Sequence, residues 1–168
     1  MDTISKEKRS WVMSRIHSVD TGPEMLVRSY LFARGLRFRV HAKNLPGHPD
    51  IALRKHKTVI EVRGCFWHRH PGCKVATTPK SNMAFWQEKF DRNVARDRRN
   101  EEKYAEMGWR LLVVWECELR PAVRERTLDT LYRRIVDASD AATLVYPAAA
   151  GSGDLPMAAE PSDASPYS

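Results

Sequence analysis

The sequence predicts an α/β fold, in closer terms an α+β mixed sheet covered by helices, in the order helix, three strands, helix, strand. Three observations predict it. Apolar residues recur at helical spacing in two separate stretches, 22–34 and 82–107. Between the first of these and position 63 the chain alternates short extended runs with turn residues. A continuous apolar run, RLLVVW at 110–115, follows the second stretch and reads as a buried strand.

The elements follow in chain order. Residues 5–16 set Trp11, Val12 and Ile16 among basic side chains, as a short amphipathic helix does, and residues 1–20 read as an N-terminal arm. Thr21-Gly-Pro-Glu24 has the spacing of a capping box and opens a helix over 22–34. Its Leu26, Val27, Tyr30 and Leu31 share a face, and Gly35 stops it. Leu36–Val40, Pro49–Leu53 and Lys57–Arg63 are extended segments joined by turn chemistry at 44–47 and a polar Arg54-Lys-His56, which suggests an antiparallel meander. Met83, Trp86, Phe90 and Val94 form a stripe on the long helix, which ends at Gly108. A last helix covers 123–136. The folded domain runs over 21–140, and 147–168, rich in Ala, Gly, Ser and Pro, reads as a disordered tail.

Size and charge bound the function. At 168 residues and 19.3 kDa the chain holds one domain. All 28 basic residues lie at or before Arg134, whereas five of the 21 acidic ones lie after it, so residues 1–134 carry +12 of an overall +7. Such a field suits a polyanion such as nucleic acid, or an anionic membrane surface, and excess charge also serves solubility. A mean hydropathy of −0.53, with no run near the roughly 20 apolar residues of a membrane span, excludes an integral membrane protein. The polar N-terminus does not read as a signal peptide, and three cysteines, an odd number, point to a reducing compartment. The expected location is the cytoplasm.

Chemistry concentrates between positions 45 and 73. An antiparallel pairing of the second and third segments brings Asp50 beside Glu61, and Arg63 shares the face of Glu61. Two carboxylates and a cation on one patch suit Mg²⁺-dependent phosphodiester hydrolysis, and a structural salt bridge is the alternative. The arrangement resembles the PD-(D/E)xK pattern of restriction-endonuclease-like cores, with Arg in the Lys position. Cys65, His70 and Cys73 have zinc-ligand spacing, and Cys117 lies two residues past the RLLVVW strand just as Cys65 lies two past Arg63. If those strands are parallel neighbours, the four complete a Cys3His site; three reduced, buried cysteines are the alternative. His68 is the rival fourth ligand, and leaving it free makes it a candidate general base.

LPGHPDI at 45–51, VIEVRGCFWHRHPGC at 59–73, FWQEKFDRNVARDRR at 85–99 and GWRLLVVWECELR at 108–120 together resemble the very short patch repair DNA mismatch endonucleases, over about Lys8 to Arg134. The resemblance implies a strand-specific nick beside the T of a T:G mismatch, the product of 5-methylcytosine deamination. It implies catalytic Mg²⁺ and a structural Zn²⁺ held by Cys65, His70, Cys73 and Cys117. Asp50 matches the family's metal-binding aspartate and His68 its base, and Asp50, Glu61 and Val62 make the expected Mg²⁺ set. Glu24 matches an acidic residue that orders water around the metal, although the capping box accounts for it equally. Familiar members replace the Glu and Lys of the wider pattern, whereas this chain keeps Glu61 and has Arg63. Phe66 and Trp67 match aromatics that wedge into the base stack, with Met13 of the arm entering from the opposite groove and Arg15 beside it on DNA; packing as core anchors is their other reading.

The expected partner is double-stranded DNA carrying a T:G mismatch, met by a monomer beside the bacterial nucleoid, with mismatch-repair proteins and a repair polymerase following. Arg92, Arg96, Arg98, Arg99 and Lys103 crowd the long helix, some of them for phosphate, while Asn93 and Asp97 read equally as structural. Two other functions fit part of the pattern: a restriction-like or mobile-element nuclease acting on intact sites, and a non-catalytic zinc-stabilised DNA-binding module.

Overall fold

In a computed structural model of the chain, the structure describes residues 19–137 together with Ser5, Lys8 and Trp11. The element order is α1 (Gly22–Ala33), β1 (Ile51–Leu53), a 3-10 turn at Arg54–His56, β2 (Thr58–Arg63), α2 (Cys65–His68), α3 (Met83–Glu106), β3 (Arg110–Trp115), a second 3-10 turn at Glu116–Leu119, and α4 (Arg124–Val136). None of these helices is long and apolar enough to cross a membrane. The expected arm residues Met13 and Arg15, and the 147–168 tail, lie outside the described residues.

The sheet is small and mixed, with strand order β1-β2-β3. β1 pairs antiparallel with β2, Ile51 facing Ile60, and β2 pairs parallel with β3, from Thr58 opposite Arg110 to Arg63 opposite Trp115. The expected meander of three strands is corrected here. Leu36–Val40 contributes a single antiparallel bridge, Arg39 to Ala52, with backbone hydrogen bonds of 3.0 and 2.8 Å. His41 then adopts left-handed backbone, φ 45°, and turns the chain off the edge before a second pair forms. β1 begins at Ile51 rather than Pro49, because proline has no N–H for the ladder.

Alternation along the strands sorts the core onto two faces. Ile51, Leu53, Ile60, Leu112 and Val114 pack against Val27 and Leu31 of α1 and Leu128, Leu131 and Ile135 of α4. Ala52 and Val59 face the other way, onto Tyr104 of α3 and the loop residues Ala42 and Leu45. Helices therefore cover both faces, as the composition of β2 and β3, apolar on successive residues, requires. The expected stripe on α3 is also redrawn. Met83 is exposed, and the buried positions are Phe90, Asp97 and Tyr104, seven residues apart. The burial of a carboxylate on that line is the first sign that this helix face serves a site.

Candidate active site

Asp50 lies one step past the last β1/β2 pair, opposite Glu61, and its Oδ2 accepts the Val62 amide at 2.7 Å. Burial, with Glu24 and Glu61 adding repulsion, pushes its carboxyl up to about 6 against that hydrogen bond. Glu61 and Arg63 share a face as alternation demands. Glu61 Oε2 accepts from Arg63 Nε at 2.9 Å and Nη2 at 2.8 Å, and Arg63 Nη2 also reaches Glu101 Oε1 at 2.8 Å. Burial works against the Arg63 charge, but these carboxylates more than offset it. The Tyr104 hydroxyl directs its one hydrogen between two acceptors, the second Glu61 oxygen at 3.1 Å and the Pro46 carbonyl. Both oxygens of Glu61 are thus engaged by the protein.

Glu24 is both cap and cluster member. Thr21 Oγ1 donates to Glu24 Oε1 at 2.9 Å, and Glu24 Oε2 accepts the Asp20 amide at 3.0 Å and Arg28 Nη2 at 2.9 Å. Arg28 also pairs with Asp20 and lies 3.1 Å from His41 Nε2. Asp20, Glu24 and His41 present ligand atoms close enough for a metal, but the Arg28 guanidinium already supplies their cation.

Gly64 caps α2, so β2 runs directly into the single turn that carries Cys65, Phe66, Trp67 and His68. His68 Nδ1 meets Asp97 Oδ2 of α3 at 2.6 Å, which leaves Nε2 as the nitrogen for an outside proton. Burial raises the Asp97 carboxyl, but His68, Arg63 and Arg96 together hold it below the usual range. Cys65 and Cys117 each emerge two residues beyond the parallel Arg63/Trp115 pair, the expected edge. His70 Nε2 is 3.3 Å from Cys65 Sγ and 3.6 Å from Cys117 Sγ, and with Cys73 all four ligand atoms lie within 4.8 Å of one another. Edges of roughly 3.5–3.8 Å are those of a tetrahedron around zinc, and the three cysteines are free thiols. Burial pushes the Cys65 thiol up to about 12, a buried thiol that an ion would convert to thiolate. His70 lies against the Trp115 ring at 4.2 Å, which fixes the imidazole plane.

Phe66 and Trp67 are half-buried and belong to a cluster with α3. Phe66 meets Trp67, Phe90 and Trp86 edge-on at 4.9, 5.2 and 5.5 Å, and Lys89 Nζ stands 4.9 Å over Trp67. Asn93 Nδ2 donates to the Trp67 carbonyl at 3.2 Å.

From the sequence Asp97 and Asn93 read equally as structural, Glu101 reads only as a charge that partly neutralises the basic run, and Tyr104 carries no signal of its own. Positions 93, 97, 101 and 104 are spaced by fours and threes, one helical face, which was the available signal; the surrounding charge run masked it.

A mixed sheet carrying opposed carboxylates at its edge, beside a histidine held by an aspartate, fits a nuclease of restriction-endonuclease-like fold. Comparison with known proteins makes the assignment. A model of the family described as DNA mismatch endonuclease Vsr matches residues 1–74. The Type II nicking enzyme V.NmeAIP of Neisseria meningitidis serogroup A is 46% identical over 138 residues, 82% of this chain and 98% of that protein. The Type II nicking enzyme V.XorIIP of Xanthomonas oryzae pv. oryzae is 44% identical over the same shares, and the DNA mismatch endonuclease Vsr of Escherichia coli K12 is 43% identical over 76% of this chain and 80% of its own length. The protein is a DNA endonuclease. It belongs to the Vsr family.

Proposed function

We propose that the protein nicks one strand of duplex DNA beside the T of a T:G mismatch, opening very short patch repair of deaminated 5-methylcytosine. The observation that carries the reading is Asp50: a half-buried carboxylate, repelled by Glu24 and Glu61 and aimed by the Val62 amide, whose ionised form a cation would favour. Mg²⁺ suits an all-oxygen set and supplies a Lewis acid at the phosphate. Asp50 holds it, and the Val62 carbonyl leaves the strand on the same edge as its amide. We assign Glu61, already engaged by Arg63 and Tyr104, to bracing rather than to the ion, and Arg63 to charge balance beneath it. His68, oriented by Asp97, takes the water proton at Nε2, and Glu24 orders solvent on the far side of Asp50. Zn²⁺ at Cys65, His70, Cys73 and Cys117 fixes the base of α2 and with it His68.

Phe66 and Trp67, with Trp86 beside them, form the wedge that enters the base stack, and unstacking is least costly at a mispair. The arm residues Met13 and Arg15 act from the opposite groove, the protein working as a monomer in the bacterial cytoplasm, ahead of mismatch-repair proteins and a repair polymerase. The deciding experiment incubates matched C:G and T:G duplexes of one sequence with and without Mg²⁺. Nicking confined to the T:G duplex with Mg²⁺ is expected. Equal cleavage of both duplexes would favour the restriction-like alternative, and metal-independent binding without cleavage the DNA-binding module.

A further inference from the structure

One face of α3 touches the site at four points, and three of them have evident tasks. Asn93 holds the Trp67 carbonyl, Asp97 holds His68, and Glu101 holds Arg63. The fourth is Tyr104, wholly buried, whose hydroxyl hydrogen is shared between the Pro46 carbonyl and Glu61 Oε1, the latter at 3.1 Å. The segment it grips is pressed onto the helix. A Cβ built on Gly47 would lie 2.3 Å from Asn100 Nδ2 and push that side chain aside, and the left-handed backbone, φ 67° at Gly47 and 53° at His48, favours glycine at the first of these. Pro49 is fully buried, and the next residue is Asp50. A buried phenol needs one acceptor; this one spans two chain segments that converge on the same carboxylate pair.

We infer that Tyr104 is a positioning residue: by tying Pro46 to Glu61 it sets the distance between the Asp50 segment and β2, and so the spacing of the oxygen atoms offered to the divalent ion. Across to β2, Asp50 itself is held by one hydrogen bond to Val62, next to a strand three residues long. Burial and the neighbouring Glu61 keep the phenol far above its usual pKa, so the donor is present at every working pH. This rests on the metal-binding role of Asp50 proposed above.

The test is Tyr104→Phe, which removes one oxygen and no volume from the core. Mn²⁺ binding to the DNA-free protein, followed by calorimetry, should weaken by about fivefold or more, the effect of one lost hydrogen bond. Cleavage of the T:G duplex at fixed Mg²⁺ should lose a similar factor in kcat with KM for the duplex unchanged within about twofold. Ile135→Val, in the opposite core cluster, is the matched control for lost stability. If the two variants, compared at equal distance below their melting points, lose Mn²⁺ affinity alike, or if Tyr104→Phe loses none, the inference is overturned. A Tyr104→Phe protein that does not fold overturns it too, since the hydroxyl would then hold the fold and not the site. Asp50→Asn separates the two claims. Undiminished Mn²⁺ binding by that variant defeats the metal site itself, whereas loss there with none in Tyr104→Phe defeats only the role of Tyr104.

Discussion

Asp50 is where sequence and environment meet most sharply. Its carboxyl is pushed up to about 6 by burial and by two like charges, so a cation beside it would favour the ionised form. Asp50→Asn keeps the Val62 hydrogen bond but cannot hold the ion as a charged ligand. Cleavage of a T:G duplex should fall at least about a hundredfold, about 2.7 kcal/mol of transition-state stabilisation, with duplex affinity retained. Near-parental nicking by that variant would move the metal elsewhere. Asp97 is perturbed in the other direction, since His68 and Arg63 outweigh its burial. A carboxyl held below its ordinary value binds fewer protons in the folded chain than in the unfolded one. The Asp97 contribution is therefore complete above about pH 4 and lost as the pH falls below that. Denaturant unfolding of the parent and of Asp97→Asn should show a stability gap at pH 6 that closes toward pH 3; a gap independent of pH would mean that the carboxylate charge contributes nothing.

At the scale of elements, the single turn α2 is the busiest part of the chain. Within four residues it supplies a thiol at the Cys3His cluster, the two aromatics proposed as the wedge, and the histidine that faces Asp97. A turn this short has no helical stability of its own. Its rigidity comes from its contacts: the thiol cluster at one end, the α3 aromatics along its side. Metal analysis should find one zinc per chain that Mg²⁺ does not displace, and Cys117→Ala should lower both the melting temperature and the zinc content. Zinc-free protein that melts like the parent would remove the site. Trp67 pairs with Phe66 at 4.9 Å and Trp86 at 6.0 Å while remaining half-exposed. Trp67→Ala should thus cost the free protein only about 1–3 kcal/mol, two ring pairs' worth, while its preference for T:G over C:G duplex collapses. A variant that keeps the parental preference would take the wedge out of recognition.

For the molecule as a whole, charge sets the background against which specificity is measured. With +12 on residues 1–134, matched duplex should bind through phosphates alone. The groove along α3 between Lys89, Arg92, Arg96 and Arg99, about 490 Å³, borders the aromatic cluster, since Lys89 stands over Trp67. Raising salt from about 50 to 200 mM should weaken matched-duplex binding by at least tenfold, and should weaken T:G binding by a similar factor, so that the ratio survives. A ratio that vanishes with salt would mean that the mismatch is read by charge and not by insertion.

The sequence by itself determined the α1 box, the extent of the long helix, the RLLVVW strand and the Cys3His set, because each is written in local spacing: capping at i and i+3, period 3.6, an unbroken apolar run, thiols two residues past strand ends. It also put Asp50 beside Glu61, since one short turn leaves the register little freedom. Tertiary structure decided the rest. Leu36–Val40 is as apolar and extended as a strand, yet the left-handed turn at His41 allows one bridge only. Asp97, Glu101 and Tyr104 look like members of a solvated charge run, and only the approach of β2 and α2 to that helix face turns them into partners of His68, Arg63 and Glu61. Local pattern fixes which face a residue takes along its own element; what that face meets depends on contacts far apart in the chain, and no local period encodes them.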